Sequence, residues 1–227
     1  MNFYDENNRT INTVTTEAEE QRLAGIYVSP DATVLELGAR YGTVTCAISR
    51  NLTNKNNLVT VEPDSRVWAA LESNLARNQC TAHIIKGFIS KRPLSLTNLN
   101  NASGYGTTFQ DTSGSTGSTY TIDSIQSMYS LTFDTLVADC EGFLERFFDE
   151  NPTLYDQLNT VIFEADYPDK CNYTKIRGAL KNKGFREIKG GFQNVWSKVL
   201  YGPPQRQRPA PRSPITTNRL LNFYIRR

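Results

Sequence analysis

Carboxylates and glycines fall at four places in this 227-residue chain where a ligand could be held and a proton moved. The first is Glu36-Leu-Gly38-Ala39-Arg40-Tyr41-Gly42, an acid followed by a glycine-bounded turn. Gly38 permits a sharp turn with close approach of a ligand, and Gly42 lets the next helix begin tight against the strand before it. The second is Glu62-Pro63-Asp64, whose acid stands twenty positions past Gly42, the spacing at which a carboxylate receives the two hydroxyls of a ribose. Together these two describe a site for a nucleoside-containing ligand. The third and fourth, Asp139-Cys140-Glu141-Gly142 and Glu164-Ala165-Asp166, offer carboxylates for proton abstraction or for holding a hard cation.

Such residues need a scaffold that gathers distant segments at one edge. Apolar runs suited to strands, at Thr33 to Leu37, Leu58 to Glu62, Ala82 to Phe88, Thr135 to Asp139 and Thr160 to Glu164, alternate with helical stretches. The helices are expected at Thr43 to Leu52, Ser65 to Asn78 with Asp64 as cap, Asp123 to Tyr129, Phe143 to Glu150, and Asn172 to Lys183 with Gly184 closing the last. Phe185 to Lys189 and Val195 to Leu200 read as an antiparallel hairpin. The pattern predicts an α/β fold of the Rossmann-like, class I methyltransferase type: a mostly parallel seven-stranded sheet with a C-terminal antiparallel hairpin and helices on both faces. In doubly wound sheets the ligand lies beyond the carboxyl ends of the central strands. All four segments fall there, as do Gly87, Phe88 and Ile89 at the end of the third strand.

The body of the domain is expected over residues 31–201. Residues 1–30 read as a helical appendage or lid, with a helix from Thr15 to Gly25 capped by Thr16 and Tyr27 near the ligand mouth. Residues 202–227 form a Pro/Arg-rich tail. The stretch from Ser95 to Thr121, rich in Ser, Thr, Gly and Asn, reads as a loop or irregular hairpin whose Tyr105, Phe109 and Tyr120 suit a sugar.

Net charge is +2, but the tail holds six arginines and no acid, leaving nineteen bases against twenty-three acids in the rest. An acidic body argues against a nucleic-acid partner, since nucleic-acid-binding proteins concentrate Lys and Arg on one face. No apolar run is long enough for a membrane span and no signal-peptide pattern opens the chain, so a cytoplasmic location is expected. Cys46, Cys80, Cys140 and Cys171 are too scattered for a zinc site and are expected as reduced, mostly buried thiols. The single histidine, His83, lies within a strand and is expected to be structural.

A nicotinamide cofactor needs a middle glycine where the backbone meets the pyrophosphate, and that position is Arg40. S-adenosylmethionine has no pyrophosphate, and Glu36 suits its positive amino group better than a phosphate. Glu36, Gly38, Ala39, Arg40, Tyr41, Gly42, Glu62, Pro63, Asp64, Gly87, Phe88, Ile89 and Asp139 are the expected cofactor contacts.

At this point the sequence resembles the FkbM-like methyltransferases, which methylate hydroxyls of sugars and sugar-bearing natural products. The likeness spans Thr33 to Val199 and rests on the 35–42 turn, Val61-Glu-Pro-Asp64, Tyr120-Thr-Ile-Asp-Ser-Ile125, Asp139-x-Glu141-Gly142, Glu164 and the closing Gly184-Phe-Arg run. The chain departs from the family's usual Asp at 36, Asn at 40 and acid near 91. The resemblance implies a sugar or glycan acceptor. For methyl transfer to a hydroxyl, Asp139, Glu141 and Asp166 are the expected catalytic acids. Asp139, Glu164 and Asp166 are the expected ligands should Mg²⁺ or Mn²⁺ assist. Two other readings stay open: an RNA or protein methyltransferase using the basic tail, and a non-catalytic Rossmann-like binding module.

Overall fold

The computed structural model describes residues 1–97, 99, 107–113 and 117–199. The chain opens with a small hairpin, β1 (Phe3–Tyr4) and β2 (Thr10–Ile11), followed by α1 (Ala18–Tyr27). Then come β3 (Val34–Leu37), α2 (Thr43–Asn51), β4 (Leu58–Glu62), α3 (Trp68–Arg77) and β5 (His83–Lys86). Four short strands follow: β6 (Phe88–Ile89), β7 (Leu94–Thr97), β8 (Thr108–Asp111) and β9 (Thr119–Tyr120). The second half runs α4 (Ile122–Tyr129), β10 (Thr135–Ala138), α5 (Leu144–Glu150), α6 (Leu154–Gln157), β11 (Thr160–Glu164), α7 (Tyr173–Asn182), β12 (Arg186–Lys189) and β13 (Gln193–Ser197).

Seven strands form one sheet in the order β12-β13-β11-β10-β3-β4-β5, with β13 antiparallel to both its neighbours and the other pairings parallel. The chain builds outward from β3 through β4 to β5 and then returns to place β10 on the other side of β3. That reversal opens a crevice at the carboxyl ends of β3 and β10.

Alternation along each strand sorts the side chains to two buried faces. Leu35, Leu37, Val59, Val61, Leu136 and Phe163 pack with Ile125, Phe147, Ile176 and Leu180 of α4, α5 and α7. Val34, Val137, Ile162 and Val195 face α1 and α2, meeting Leu23, Ala24, Val44 and Ile48. α2 is rich in β-branched residues and a poor helix by propensity, so burial of this face is what holds it. α1, expected as an appendage, is part of the layered body, with Leu23 and Ala24 fully buried.

Local differences from the sequence reading have local causes. α1 starts at Ala18, and Glu17 rather than Thr16 occupies the cap position in a left-handed conformation without capping it. α3 starts at Trp68 because the Asp64 carboxylate is taken by the backbone N–H and guanidinium of Arg66. Cys46 and Cys80 are not free thiols but a disulfide that ties α2 to the turn ahead of β5, with Cα atoms 5.2 Å apart. Their separation of 34 residues hid a proximity that the β-α-β winding creates. Cys140 and Cys171 are free. The 202–227 tail lies outside the described residues.

Candidate active site

The crevice at the β3/β10 switch is a cleft with an empty volume of about 780 Å³ including its open mouth. Its floor is the turn after β3. Gly38 has φ +87°, and a Cβ there would stand 1.7 Å from the carbonyl oxygen of Asp139, so only glycine allows the two strand ends to meet. Gly42, at φ +82°, is crowded by Leu71 and Leu75 of α3, so the close approach it allows is to a neighbouring helix, where the sequence reading expects the preceding strand.

On the β4 side stands Glu62. Its Oε2 accepts from the Arg40 N–H at 2.7 Å and its Oε1 from the Asp64 N–H at 2.8 Å. Burial pushes this carboxyl up to about 7, against the pull of those two N–H groups. Each oxygen keeps acceptor capacity beyond its backbone bond. Asp64 feels burial too, but the Arg66 guanidinium and N–H hold it below its ordinary value. Gly87, Phe88 and Ile89 line the same side; a Cβ at Gly87 would lie 2.2 Å from the Ser118 carbonyl oxygen.

Across the turn, on the β10 side, stand Asp139, Cys140 and Glu141. Asp139 is raised well above an ordinary aspartate by burial and by the charges of Glu17, Glu141, Asp166 and Glu20 around it. A carboxylate with raised proton affinity is a stronger base than an ordinary aspartate, which suits general-base work. Glu141 has φ 52° and is followed by Gly142 at φ 82°, two left-handed residues that bend the chain around the cleft. Burial drives the Cys140 thiol far up, which removes it as a nucleophile.

Behind the turn, on the α1/α2 face, a smaller cavity is lined by Glu17, Glu20, Glu36, Asp139, Glu164 and Gln193. Among the described residues, no basic side chain lines it. Glu36 does not line the main cleft: it is buried, accepts from Thr45 Oγ1 at 2.7 Å, and leaves Oε1 without a hydrogen bond. Burial raises it to about 7, with Thr45 working in the other direction. Glu20, Asp139 and Glu164 present oxygens within 4.8 Å of one another. Burial, followed by the neighbouring Glu20 and Asp139, raises Glu164 strongly. Gln193 Nε2 donates to both Glu20 and Glu164.

Of the residues named from the sequence, Gly38, Arg40, Glu62, Pro63, Asp64, Gly87, Phe88, Ile89, Asp139 and Glu141 line the cleft. Ala39, Tyr41 and Gly42 do not. Ala39 packs with Cys46 and Leu71, and the Tyr41 hydroxyl donates to Glu6 Oε2 at 2.6 Å. Asp166 stands outside the three-acid group, accepting from the Tyr173 hydroxyl at 2.8 Å and the Tyr167 N–H. Glu20 takes its place. Tyr27 packs against the α1/α2 core, and His83 stacks on Tyr129 away from the cleft.

Sequence reasoning missed Glu17, which lines both cavities and accepts a hydrogen bond from the Thr43 hydroxyl at the start of α2. It also missed Leu96, Thr107 and Thr108 from the β7/β8 hairpin, though Phe109 of that hairpin had been marked by its aromatic type. Tyr105 lies outside the described residues, and Tyr120 packs against the core.

No family model matches the chain, and no curated protein matches it. Among solved structures it is similar to a precorrin-6y C5,15-methyltransferase from Geobacter metallireducens GS-15, with TM-score 0.51 and 12% identity over 83% of this chain and 90% of that one. An O-methyltransferase from Bacillus cereus in complex with SAH gives TM-score 0.46 and 15% identity over 83% of both chains. A methyltransferase from Pyrococcus furiosus gives TM-score 0.45 and 15% identity over 82% of this chain and 85% of that one. The strand order and its switch point are those of the Rossmann-like class I methyltransferase fold. Among the described residues no helix is long and apolar enough to cross a membrane.

Proposed function

We propose that the protein is an S-adenosylmethionine-dependent O-methyltransferase of FkbM-like type, transferring a methyl group to a hydroxyl of a sugar or glycan acceptor. The observation that carries this reading is the pairing of two raised acids across one glycine turn, Glu62 on the β4 side and Asp139 on the β10 side of the same cleft.

The residues suit the cofactor. Glu62, fixed by two backbone N–H groups, can still accept from the vicinal hydroxyls of a ribose. The apolar faces of Phe88, Ile89 and Phe143 suit a base. The cavity behind Gly38, whose charged lining residues are all acids and where Glu36 Oε1 lacks a hydrogen bond, suits an ammonium group rather than a phosphate. Bound there, the cofactor supplies a sulfonium methyl that is already electrophilic. What remains for the protein is to hold an acceptor oxygen in line and take its proton.

Asp139 is the group for that proton: it borders the cleft, and burial together with its acidic neighbours makes it a stronger proton acceptor than an ordinary aspartate. Glu141 contributes to the acid cluster that raises Asp139 and is placed to orient the acceptor. In an alternative arrangement, replacing both the ammonium group in the rear cavity and the base role of Asp139, Glu20, Asp139 and Glu164 are the residues that would hold Mg²⁺ or Mn²⁺, whose contribution would be to lower the pKa of the acceptor hydroxyl. Chelation followed by add-back of either ion tests that element alone, and full activity in chelator removes it.

The acidic lining favours a neutral acceptor over a polyanion such as RNA. A tritiated-methyl transfer screen with monosaccharides, glycans and RNA, with and without divalent cation, tests the reading. Transfer to a sugar hydroxyl is expected. Cofactor binding without transfer to any acceptor class contradicts it.

A further inference from the structure

The β7/β8 hairpin is an addition to the sheet's plan, and it forms one wall of the cleft. Leu96, Thr108 and Phe109 line the cavity together with Glu62, Asp64 and Phe88. The hairpin is joined internally by the Thr97 and Thr108 hydroxyls at 2.7 Å, and Phe109 meets Phe143 edge to face with ring centroids 4.8 Å apart. On the α5 side Arg146 donates to Asp111 at 2.6 Å and to Glu150 at 2.9 Å.

On the β4 side, Arg66 makes the connection. Arg66 clasps Asp64 with Nε to Oδ1 at 2.9 Å and Nη2 to Oδ2 at 2.6 Å. The same guanidinium donates to the Leu99 carbonyl through Nη1 at 2.5 Å and to the Thr107 hydroxyl through Nη2 at 3.1 Å. Asp64 is itself two residues past Glu62 and donates its N–H to it. One guanidinium thus spans from the strand end that carries the hydroxyl-binding acid to the wall opposite.

We propose that Leu96 and Phe109 are specificity residues that close the base slot of a nucleoside ligand. Arg66 is the positioning residue that fixes this wall at the correct distance from Glu62. The assignment rests on the cofactor reading given above and goes beyond it by placing selectivity for the nucleoside half in an element outside the core sheet. A planar fork is needed because two donors point to Asp64 and others to the hairpin; a lysine ammonium cannot span both.

Calorimetric titration with S-adenosylhomocysteine and with 5′-methylthioadenosine, which lacks the amino-acid end, tests this on the full chain. Arg66→Ala and Arg66→Lys are expected to weaken both ligands by roughly tenfold, the loss of about one charge-assisted hydrogen bond. Phe109→Ala is expected to do the same, while hydrogen exchange at Thr108 to Asp111 quickens in the Arg66 variants. Unchanged affinity for both ligands in a folded Arg66→Ala protein overturns the assignment, as does a loss confined to S-adenosylhomocysteine. If the wild-type protein binds neither ligand, the cofactor reading falls and this assignment with it.

Discussion

Gly38 and Asp139 touch backbone to backbone: a Cβ on residue 38 would lie 1.7 Å from the Asp139 carbonyl oxygen and 2.9 Å from its carbonyl carbon. The contact joins the cofactor turn to the strand end that bears the proposed base, so neither can move without the other. Gly38→Ala must displace backbone rather than a flexible side chain, and it meets a left-handed φ as well. We expect it to cost about 2–4 kcal/mol of stability and to weaken S-adenosylhomocysteine more than tenfold. Thermal unfolding and calorimetry check the two effects separately. An alanine variant with native affinity would show that the turn is not part of the site.

Glu62 is held by two backbone N–H groups, so removing its charge without its shape is a mild change to the fold. In Glu62→Gln one side-chain position becomes an NH₂ facing an N–H donor. Binding of S-adenosylhomocysteine should fall at least tenfold, consistent with about 1.5–3 kcal/mol for a hydrogen bond to a charged group. Isothermal calorimetry at pH 8, where the wild-type carboxyl is ionised, gives the clearest contrast.

The buried Glu36 makes stability depend on pH in a defined direction. Its folded value of about 7 lies above the ordinary 4.5, because burial opposes the charge. Folding therefore favours the protonated form. The stabilising contribution is complete below about pH 4.5 and is lost as pH rises through 7. Glu36→Gln, which cannot ionise, should be more stable than wild type at pH 8 by on the order of 2–3 kcal/mol, seen as a higher unfolding temperature, and should lose most of that advantage near pH 5. A difference that does not change with pH would mean that Glu36 does not titrate in this window.

The Cys46–Cys80 bridge closes a loop across α2, β4 and α3. For a loop of 34 residues, its removal should cost about 4 kcal/mol. Cys46→Ser paired with Cys80→Ser, compared with wild type with and without reductant, measures this. Alkylation of protein taken directly from its native source also bears on location. A cytoplasmic protein should yield both thiols and an oxidising compartment should yield the bridge.

Much of the fold was legible because its determinants are local. The five-residue runs at β4 and β11 have the bounds expected from the sequence, since an apolar strand between turn residues announces itself. The reversed β13 followed from two strand-like runs too close together for a crossover. What escaped depended on contacts between distant segments. Glu17 abandons a helical start because Thr43, 26 residues on, takes its carboxylate. Asp166 leaves the acid group for the Tyr173 hydroxyl, while Glu20 enters it from a helix that looked peripheral. Two-residue strands such as β1 and β2 carry too little periodicity to be read at all.

The central claim is that Asp139 takes the acceptor proton in a cleft that binds the methyl donor independently of that role. Asp139→Asn keeps the side chain's size and the backbone contact with Gly38 while removing the base. Steady-state methyl transfer, measured with the acceptor found by the screen, should fall by at least about a hundredfold, the usual yield of a positioned base. Affinity for S-adenosylhomocysteine should fall far less than turnover, because Glu17, Glu20, Glu36 and Glu164 still line the rear cavity. Turnover that survives the substitution would contradict the account.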